Sequence, residues 1–384
     1  MKFNYQKIKR NCQISLMDRY IVRQLSLLFL FSVSLLSSLG VAIGTVADLA
    51  DKITEYQLPI PVAVLIFCYK VPEYAAYALP ISILLTGLII YGRLNSDREL
   101  TALFSFGISF YRIVLPALVF SLVVTGITFL LNELIVPAAN YQANLLQNPF
   151  IAKSELNLQQ QDIFYAEYEL MLNDTAKKLK HIYFAEQYDH DRQRFLRVTI
   201  ISFQRDRVLQ IITARSARWN QQQQAWDLVA GEINQFNRRA ESIIEEFTTK
   251  QLPFSKTIFE IANKERSPED MNIRQAQEYL NLIKDSGNPT DVAKFAVRIQ
   301  QKYAFPFICV VFALVGSALG TKYSQINRSK SFGLCVGIVF TYYCLGFVIG
   351  SLGITGVISP FWAAWLPNLI GMILGVYLLA TVNH

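Results

Sequence analysis

The chain has 384 residues, 52% of them hydrophobic and only 17% charged, with mean hydropathy +0.28 and a formal net charge of +7. Soluble domains carry about 25% charged residues and seldom build one core beyond about 250–300 residues, so a single water-soluble globule is disfavoured. With 26 Phe and 19 Tyr the chain holds too much buriable surface to be disordered.

In chain order, residues 1–23 form a basic arm: Lys2, Lys7, Lys9, Arg10, Arg19 and Arg23 stand against Asp18 alone. Six apolar stretches follow, at 24–47, 61–91, 111–136, 303–321, 332–351 and 360–381. Each meets the ~20 helical residues needed to cross a ~30 Å hydrocarbon core. The first carries no charge between Gln24 and Ala47, too long for the apolar segment of a cleaved signal. The second contains Pro61, Pro72 and Pro80, which predict kinks or a tilt. Paired small residues (Gly40/Gly44, Gly316/Gly320, Gly333/Gly337, Gly346/Gly350, Gly371/Gly375) predict close helix packing, within the chain rather than between copies.

Between the two sets of spans, residues 137–302 carry 22 basic and 21 acidic side chains, against 14 and 8 in the rest. The middle therefore has the composition of an ordinary soluble domain. All five cysteines (Cys12, Cys68, Cys309, Cys335, Cys344) lie outside it, so it has no disulfide framework. His181, His190 and His384 have no metal-ligand spacing, and no metal or cofactor is expected. Alternating apolar stretches at 163–168, 181–185, 196–203, 208–213, 225–230, 232–237 and 242–247, with polar turns such as 221–224, predict an all-β sandwich or jellyroll. Asn272, with Gln275 three residues on, predicts a helix cap; this helix ends near Gly287, and Thr290 starts another leading into the fourth span.

Basic residues in short loops set the orientation. The arm, the 92–112 loop (Arg93, Arg98, Arg112) and the 322–331 loop (Lys322, Arg328, Lys330) are expected in the cytoplasm, as is the C-terminus. The β-domain is expected on the other side, giving three spans, an outer domain and three more spans.

Several polar residues stand out. Lys70 and Glu73, three apart in the second span, suit an ion pair on one helix face, more simply structural than functional. Glu133 sits near the outer end of the third span, where it is expected to be solvated. In the 93–107 segment, Ser96 and Glu99 suit a capping box, Leu100, Leu103 and Phe104 an apolar stripe, and Gly107 a helix end. Such a helix lies on lipid or docks into a protein groove; zero net charge weakens the first. No P-loop, H-E-x-x-H or G-x-S-x-G motif occurs, so no enzymatic activity is expected.

These features, taken in order, resemble the LptF/LptG (YjgP/YjgQ) permeases of the lipopolysaccharide export ABC transporter. The resemblance runs from Asp18-Arg19-Tyr20-Ile21-Val22-Arg23 through Val71-Pro72-Glu73, Leu79-Pro80 and Glu99-Leu100-Thr101-Ala102-Leu103 with Gly107-Ile108-Ser109. It continues with Asn132, Val136-Pro137-Ala138-Ala139-Asn140, Trp226-Asp227-Leu228 and Phe305-Pro306. It implies an inner-membrane, six-span permease with a periplasmic β-jellyroll, lacking its own ATPase. The implied partners are a cytoplasmic ABC ATPase, a second permease chain (identical or homologous), jellyroll bridge proteins of LptC/LptA type, and lipopolysaccharide or a related lipid; nucleic acid is not among them. It makes 93–107 the coupling helix, with Arg98, Glu99, Leu100, Leu103, Phe104 and Gly107 meeting the ATPase. The corresponding lipid-cavity positions hold Thr45 and Asp48; acidic Asp48 departs from the family's basic pattern, which implies either a less anionic lipid head or Lys52 serving instead. Phe104-Ser105-Phe106 departs from the family's smaller or basic residues and predicts an apolar ATPase groove. A membrane-anchored scaffold whose β-domain recruits partners is the alternative; a lipid-modifying enzyme is third, and the spans hold too few polar groups for it.

Overall fold

The computed structural model of the chain describes residues 15–155, 163–170, 177–189, 194–204, 207–220, 223, 225–236, 242–253, 271–286, 289–322 and 328–382. Most of the basic arm with Cys12, most of the 221–224 turn, His190, Gly287 and His384 lie outside the described residues. The helices are α1 (Leu16–Glu55), α2 (Ile60–Ser96), α3 (Glu99–Ser105), α4 (Phe110–Leu130) and α5 (Val136–Glu155) before the strands. After them come α6 (Ile273–Ser286), α7 (Pro289–Ala304), α8 (Ile308–Lys322), α9 (Arg328–Ile354) and α10 (Pro360–Val382). Two compact units result: 1–54, 58–144 and 300–384 form one, and 55–57 with 145–299 the other.

Among the described residues six helical segments have the length and hydropathy to cross a membrane: α1, α2, α4 running into α5, α7 running into α8, α9 and α10. At 1.5 Å per residue α1 is about 60 Å long, well beyond the hydrocarbon thickness. Its buried residues Ile21, Leu25, Phe29, Ser32, Val41, Thr45 and Leu49 recur mostly every three or four positions, so one narrow face packs. α2 and α8 are central, with 78% of their apolar windows buried; α1 and α9 are peripheral at 22% and 11%. Pro72 and Pro80 lie inside an unbroken α2. A π-helical turn, Leu131–Ile135, joins α4 to α5, and a 3-10 turn, Phe305–Phe307, joins α7 to α8 at Pro306.

One buried cluster joins α2 (Leu79, Ile83, Leu84, Leu88) to α8 (Ile308, Val311, Phe312, Val315), with Phe29 and Val124. The glycine pairs divide into two groups. A Cβ on Gly316 would lie 2.9 Å from the Leu84 carbonyl oxygen, and one on Gly320 would lie 3.0 Å from that of Leu88, so α2 and α8 touch backbone to backbone. Gly40 and Gly44 receive the ring of Tyr74, and Gly371 and Gly375 receive Val311 and Leu314. These three pairs pack within the chain, as expected. Gly333 and Gly337 do not: among the described residues nothing lies within 4 Å of a Cβ at either, and the same holds for Gly346.

The second unit holds an all-antiparallel six-stranded sheet, the expected β-domain. Its strands β1 (Ile163–Leu170), β2 (Lys177–Asp189), β3 (Arg194–Gln204), β4 (Arg207–Asn220), β5 (Ala225–Phe236) and β6 (Ser242–Leu252) pair in sequence order. Winding is consecutive, without a crossover among the described strands. The two predicted segments at 225–230 and 232–237 are one strand. Facing positions Glu186, Arg197, Arg215, Ala230 and Thr248 are skipped in the ladders from β2 to β6, and the pairing resumes in the same register beyond them. At that line burial slips by one residue: Phe195 and Val198, then Ala214 and Ala217, are buried with two outward residues between them. Arg197 and Ala230 adopt φ of 50° and 51°, which shifts the alternation. The break in periodicity seen in the sequence is this slip. Gly231 is needed beside it, since a Cβ there would lie 2.1 Å from the Thr213 carbonyl oxygen.

The predicted cap of α6 is present: Gln275 N–H donates to Asn272 Oδ1 (2.8 Å) and Asn272 N–H to Gln275 Oε1 (3.1 Å). The one predicted for α3 is not. Ser96 ends α2, and Arg98, with φ 59° and no side-chain cap, occupies the N-cap position of α3. The connection between α2 and α3 is too short for Ser96 to cap the second helix, so a left-handed residue makes the turn instead.

Candidate functional site

The site is built where α3 meets the basic ends of the spans. Gly107, with φ 75°, closes α3: its N–H donates to the Phe104 carbonyl (2.9 Å) and Ile108 N–H to that of Leu103 (3.2 Å). Leu100, 2% exposed, inserts into a cluster with Ile21 and Leu25 of α1, Tyr91 and Leu94 of α2, and Phe110 and Ile113 of α4. Leu103 packs against the same cluster, and the Phe104 ring meets Phe110 edge-on at 6.5 Å. The opposite face is open: Arg98, Thr101 and Phe104 are exposed, and Phe106 is 83% exposed. The stripe read from the sequence thus divides, with Leu100 and Leu103 holding α3 to the bundle while the aromatics present outward.

Polar ties frame this cluster. Arg112 at the start of α4 donates from both terminal nitrogens to the two Asp18 carboxylate oxygens, each at 2.6 Å. The Tyr20 hydroxyl lies 3.2 Å from each Glu99 carboxylate oxygen and donates to that carboxylate. Arg93 donates to Gln24, Asn95 to the Thr321 carbonyl, and the buried Tyr91 hydroxyl to the Ile113 carbonyl (3.0 Å). Asp18, Tyr20 and Arg112 were not identified from sequence as an interacting set: Asp18 and Arg112 stand 94 positions apart, and Tyr20 and Glu99 79, with no local spacing to link them.

The remaining candidates lie elsewhere and are not brought together with α3. Thr45 is buried on the packed face of α1; Asp48 and Lys52 form an (i, i+4) ion pair at 2.6 Å. Lys70 and Glu73 pair at 3.1 Å on α2, both side chains about a quarter exposed. The Asp48–Lys52 pair, at the end of α1, contributes only ~0.3–0.5 kcal/mol, whereas the Lys70–Glu73 pair lies within a span, where pairing offsets the cost of charge away from water. Glu133 is half-buried in the π-helical turn rather than fully solvated. A further group had no sequence signal: buried Asn368 of α10 donates to the Ala304 carbonyl (2.8 Å) and accepts from the Tyr342 hydroxyl (2.6 Å). It ties α9 and α10 to the break where the 3-10 turn follows α7. Among the described residues no group of His, Cys, Asp and Glu could hold a metal. The sheet has a shallow groove of about 970 Å³ along its slip line, lined in part by Glu186, Arg197, Arg215 and Glu232.

Six apolar spans interrupted by one antiparallel β-domain, with a short helix between the second and third, define a polytopic membrane protein. The family model of the lipopolysaccharide export system permease LptF/LptG matches residues 19–381, and the chain belongs to that family. A search of the curated proteins finds no match. Membership makes the chain an inner-membrane transport subunit of lipopolysaccharide export rather than an ATPase in itself.

Proposed function

We propose that this permease is one half of a two-permease complex that draws lipopolysaccharide, or a related glycolipid, from the inner membrane and passes it through its β-domain to a periplasmic bridge. A separate cytoplasmic ATPase supplies the work, docking on α3 through Arg98, Glu99 and the outward Phe104 and Phe106, with Leu100, Leu103 and Gly107 holding the segment in shape. The observation that carries this reading is the division of α3: a buried leucine anchors it while large apolar rings are presented to the outside at the basic end of the spans. A lipid-bound helix would need no such anchorage, and its net charge gives no attraction to anionic lipid. At the far end of α1, the only cation among residues 48–55 is Lys52, and Asp48 occupies it. The lipid group meeting α1 there is accordingly not its most anionic part. Each outer edge strand of the sheet, β1 and β6, pairs on one side only among the described strands, and α6 lies against β1; strand addition by a bridge domain would use one of these two edges.

Mild-detergent purification of the chain expressed with its cellular partners tests this. The expected outcome is co-purification of an ABC ATPase and a lipid with the mass of a lipopolysaccharide species. Replacing Glu99 and Leu103 should abolish ATPase capture while the chain still inserts. Lipid without any ATPase would refute the transport reading in favour of the scaffold.

A further inference from the structure

We propose that Tyr20 and the Asp18–Arg112 pair are the link through which a displacement of α3 reaches the first span. The inference rests on the reading of α3 as the ATPase docking segment. Both ends of α3 are formed by left-handed residues, Arg98 (φ 59°) and Gly107 (φ 75°), so the helix is a short rigid body between two turns. Its connections to α2 and α4 are covalent neighbours; its contacts with α1 are through space. They are the Tyr20–Glu99 hydrogen bond at the rim and the packing of Leu100 with Ile21 and Leu25 beneath it.

Asp18 and Tyr20 are two positions apart, which places them about 200° apart around a helix of 3.6 residues per turn. The first turns of α1 are therefore gripped from opposite sides. Arg112 of α4 holds one side with a planar two-bond fork, and Glu99 of α3 holds the other. Movement of α3 relative to α4 then applies a torque about the α1 axis. Farther along, α1 is held on one narrow face only, by the Arg93–Gln24 hydrogen bond and the Tyr74 ring against Gly40 and Gly44; 22% of its apolar stretch is buried, and Leu27, Leu30, Phe31 and Ile43 are exposed by 63–77%. A twist applied at Asp18 and Tyr20 thus turns the stripe that carries Ser32, Val41 and Thr45. Tyr20, Asp18 and Arg112 act as positioning residues, through α1, and do not touch the lipid.

The test uses the complete transporter, permease with its ATPase, in proteoliposomes containing lipopolysaccharide, reading ATP hydrolysis and lipid release together. Tyr20→Phe removes one oxygen and leaves the ring. It should leave ATPase capture and hydrolysis unchanged while lipid released per ATP falls roughly three- to tenfold, the range set by losing one hydrogen bond. Asp18→Arg and Arg112→Asp should each reduce the ratio, and the two together should restore it. Spin labels at Leu39 of α1 and Val119 of α4, both exposed, give a second readout of whether α1 itself turns. Their separation should change on ATP binding in the wild type and stay fixed in Tyr20→Phe. A wild-type ratio in Tyr20→Phe and Asp18→Arg, or hydrolysis and release falling in parallel with yield and without rescue by the double swap, overturns the link alone. Absence of any nucleotide-dependent release or label movement in the wild type overturns the docking reading and the link with it.

Discussion

Gly316 and Gly333 begin the same small-xxx-small pattern, yet the same substitution should destabilise the chain at the first and not at the second. A Cβ on Gly316 would lie 2.9 Å from the Leu84 carbonyl oxygen and 3.4 Å from its Cα. Relaxed carbon–oxygen contacts start near ~3.3 Å, so α2 and α8 must part by several tenths of an ångström along their shared face. Those helices are the most buried of the six, and neither partner atom is a side chain that can rotate away. Overpacking of this kind costs about 1–3 kcal/mol, offset by up to ~1 kcal/mol from replacing glycine in a helix. Gly316→Ala should therefore destabilise by about 1–2 kcal/mol, lowering the unfolding midpoint of the purified chain in detergent by about 2–8 °C. Gly333→Ala meets nothing within 4 Å among the described residues and should leave the midpoint unchanged or slightly raised. Thermal unfolding followed by tryptophan fluorescence or size-exclusion recovery reads both. Equal shifts for the two variants would refute the claim that backbone contact, rather than the motif, determines the cost.

In the sheet, Gly231→Ala drives a Cβ to 2.1 Å from the Thr213 carbonyl and should strip β5 from β4, seen as rapid proteolysis within 145–299; Ala230→Gly, at φ 51°, relieves ~1–2 kcal/mol of left-handed strain and should resist digestion longer. Phe106→Ala should leave the unfolding midpoint in place and weaken ATPase capture at least about tenfold, since an exposed aromatic matters only where a partner buries it; loss of midpoint without loss of capture would refute that. Leu100→Ala, by contrast, opens a cavity at a 2% exposed site and should cost about 2–5 kcal/mol, read as a lower midpoint. Asn368→Leu leaves the Ala304 carbonyl and the Tyr342 hydroxyl without this partner, so a destabilisation of about 1–3 kcal/mol is expected, with Tyr342→Phe recovering part of it.

The six spans, the inserted β-domain and the asymmetry of basic loops were legible because they depend on composition along the chain, which membrane thickness and backbone hydrogen bonding translate directly into helices. The α6 cap was legible for a similar reason: Asn272 and Gln275 complete it between themselves. Ser96 and Glu99 have the same spacing and do not, because the turn from α2 to α3 places Arg98 at the helix start. The short helix between the second and third spans could be read from Leu100 to Gly107, but which of its apolar residues anchor it and which face outward could not. That depends on Ile21, Tyr91 and Phe110, which lie on three other helices.

What the sequence by itself determined, then, is the list of parts: which segments enter a membrane, where a β-domain interrupts them, and which short helix carries apolar residues between two spans. Only the tertiary structure decided the pairings. It put Gly316 against a neighbouring backbone and left Gly333 open, joined Tyr20 to Glu99 and Asp18 to Arg112, and turned an apparent gap between two strands into a slip within one. Periodicity records how a residue faces its own helix or strand; it carries no information about which distant element arrives on that face.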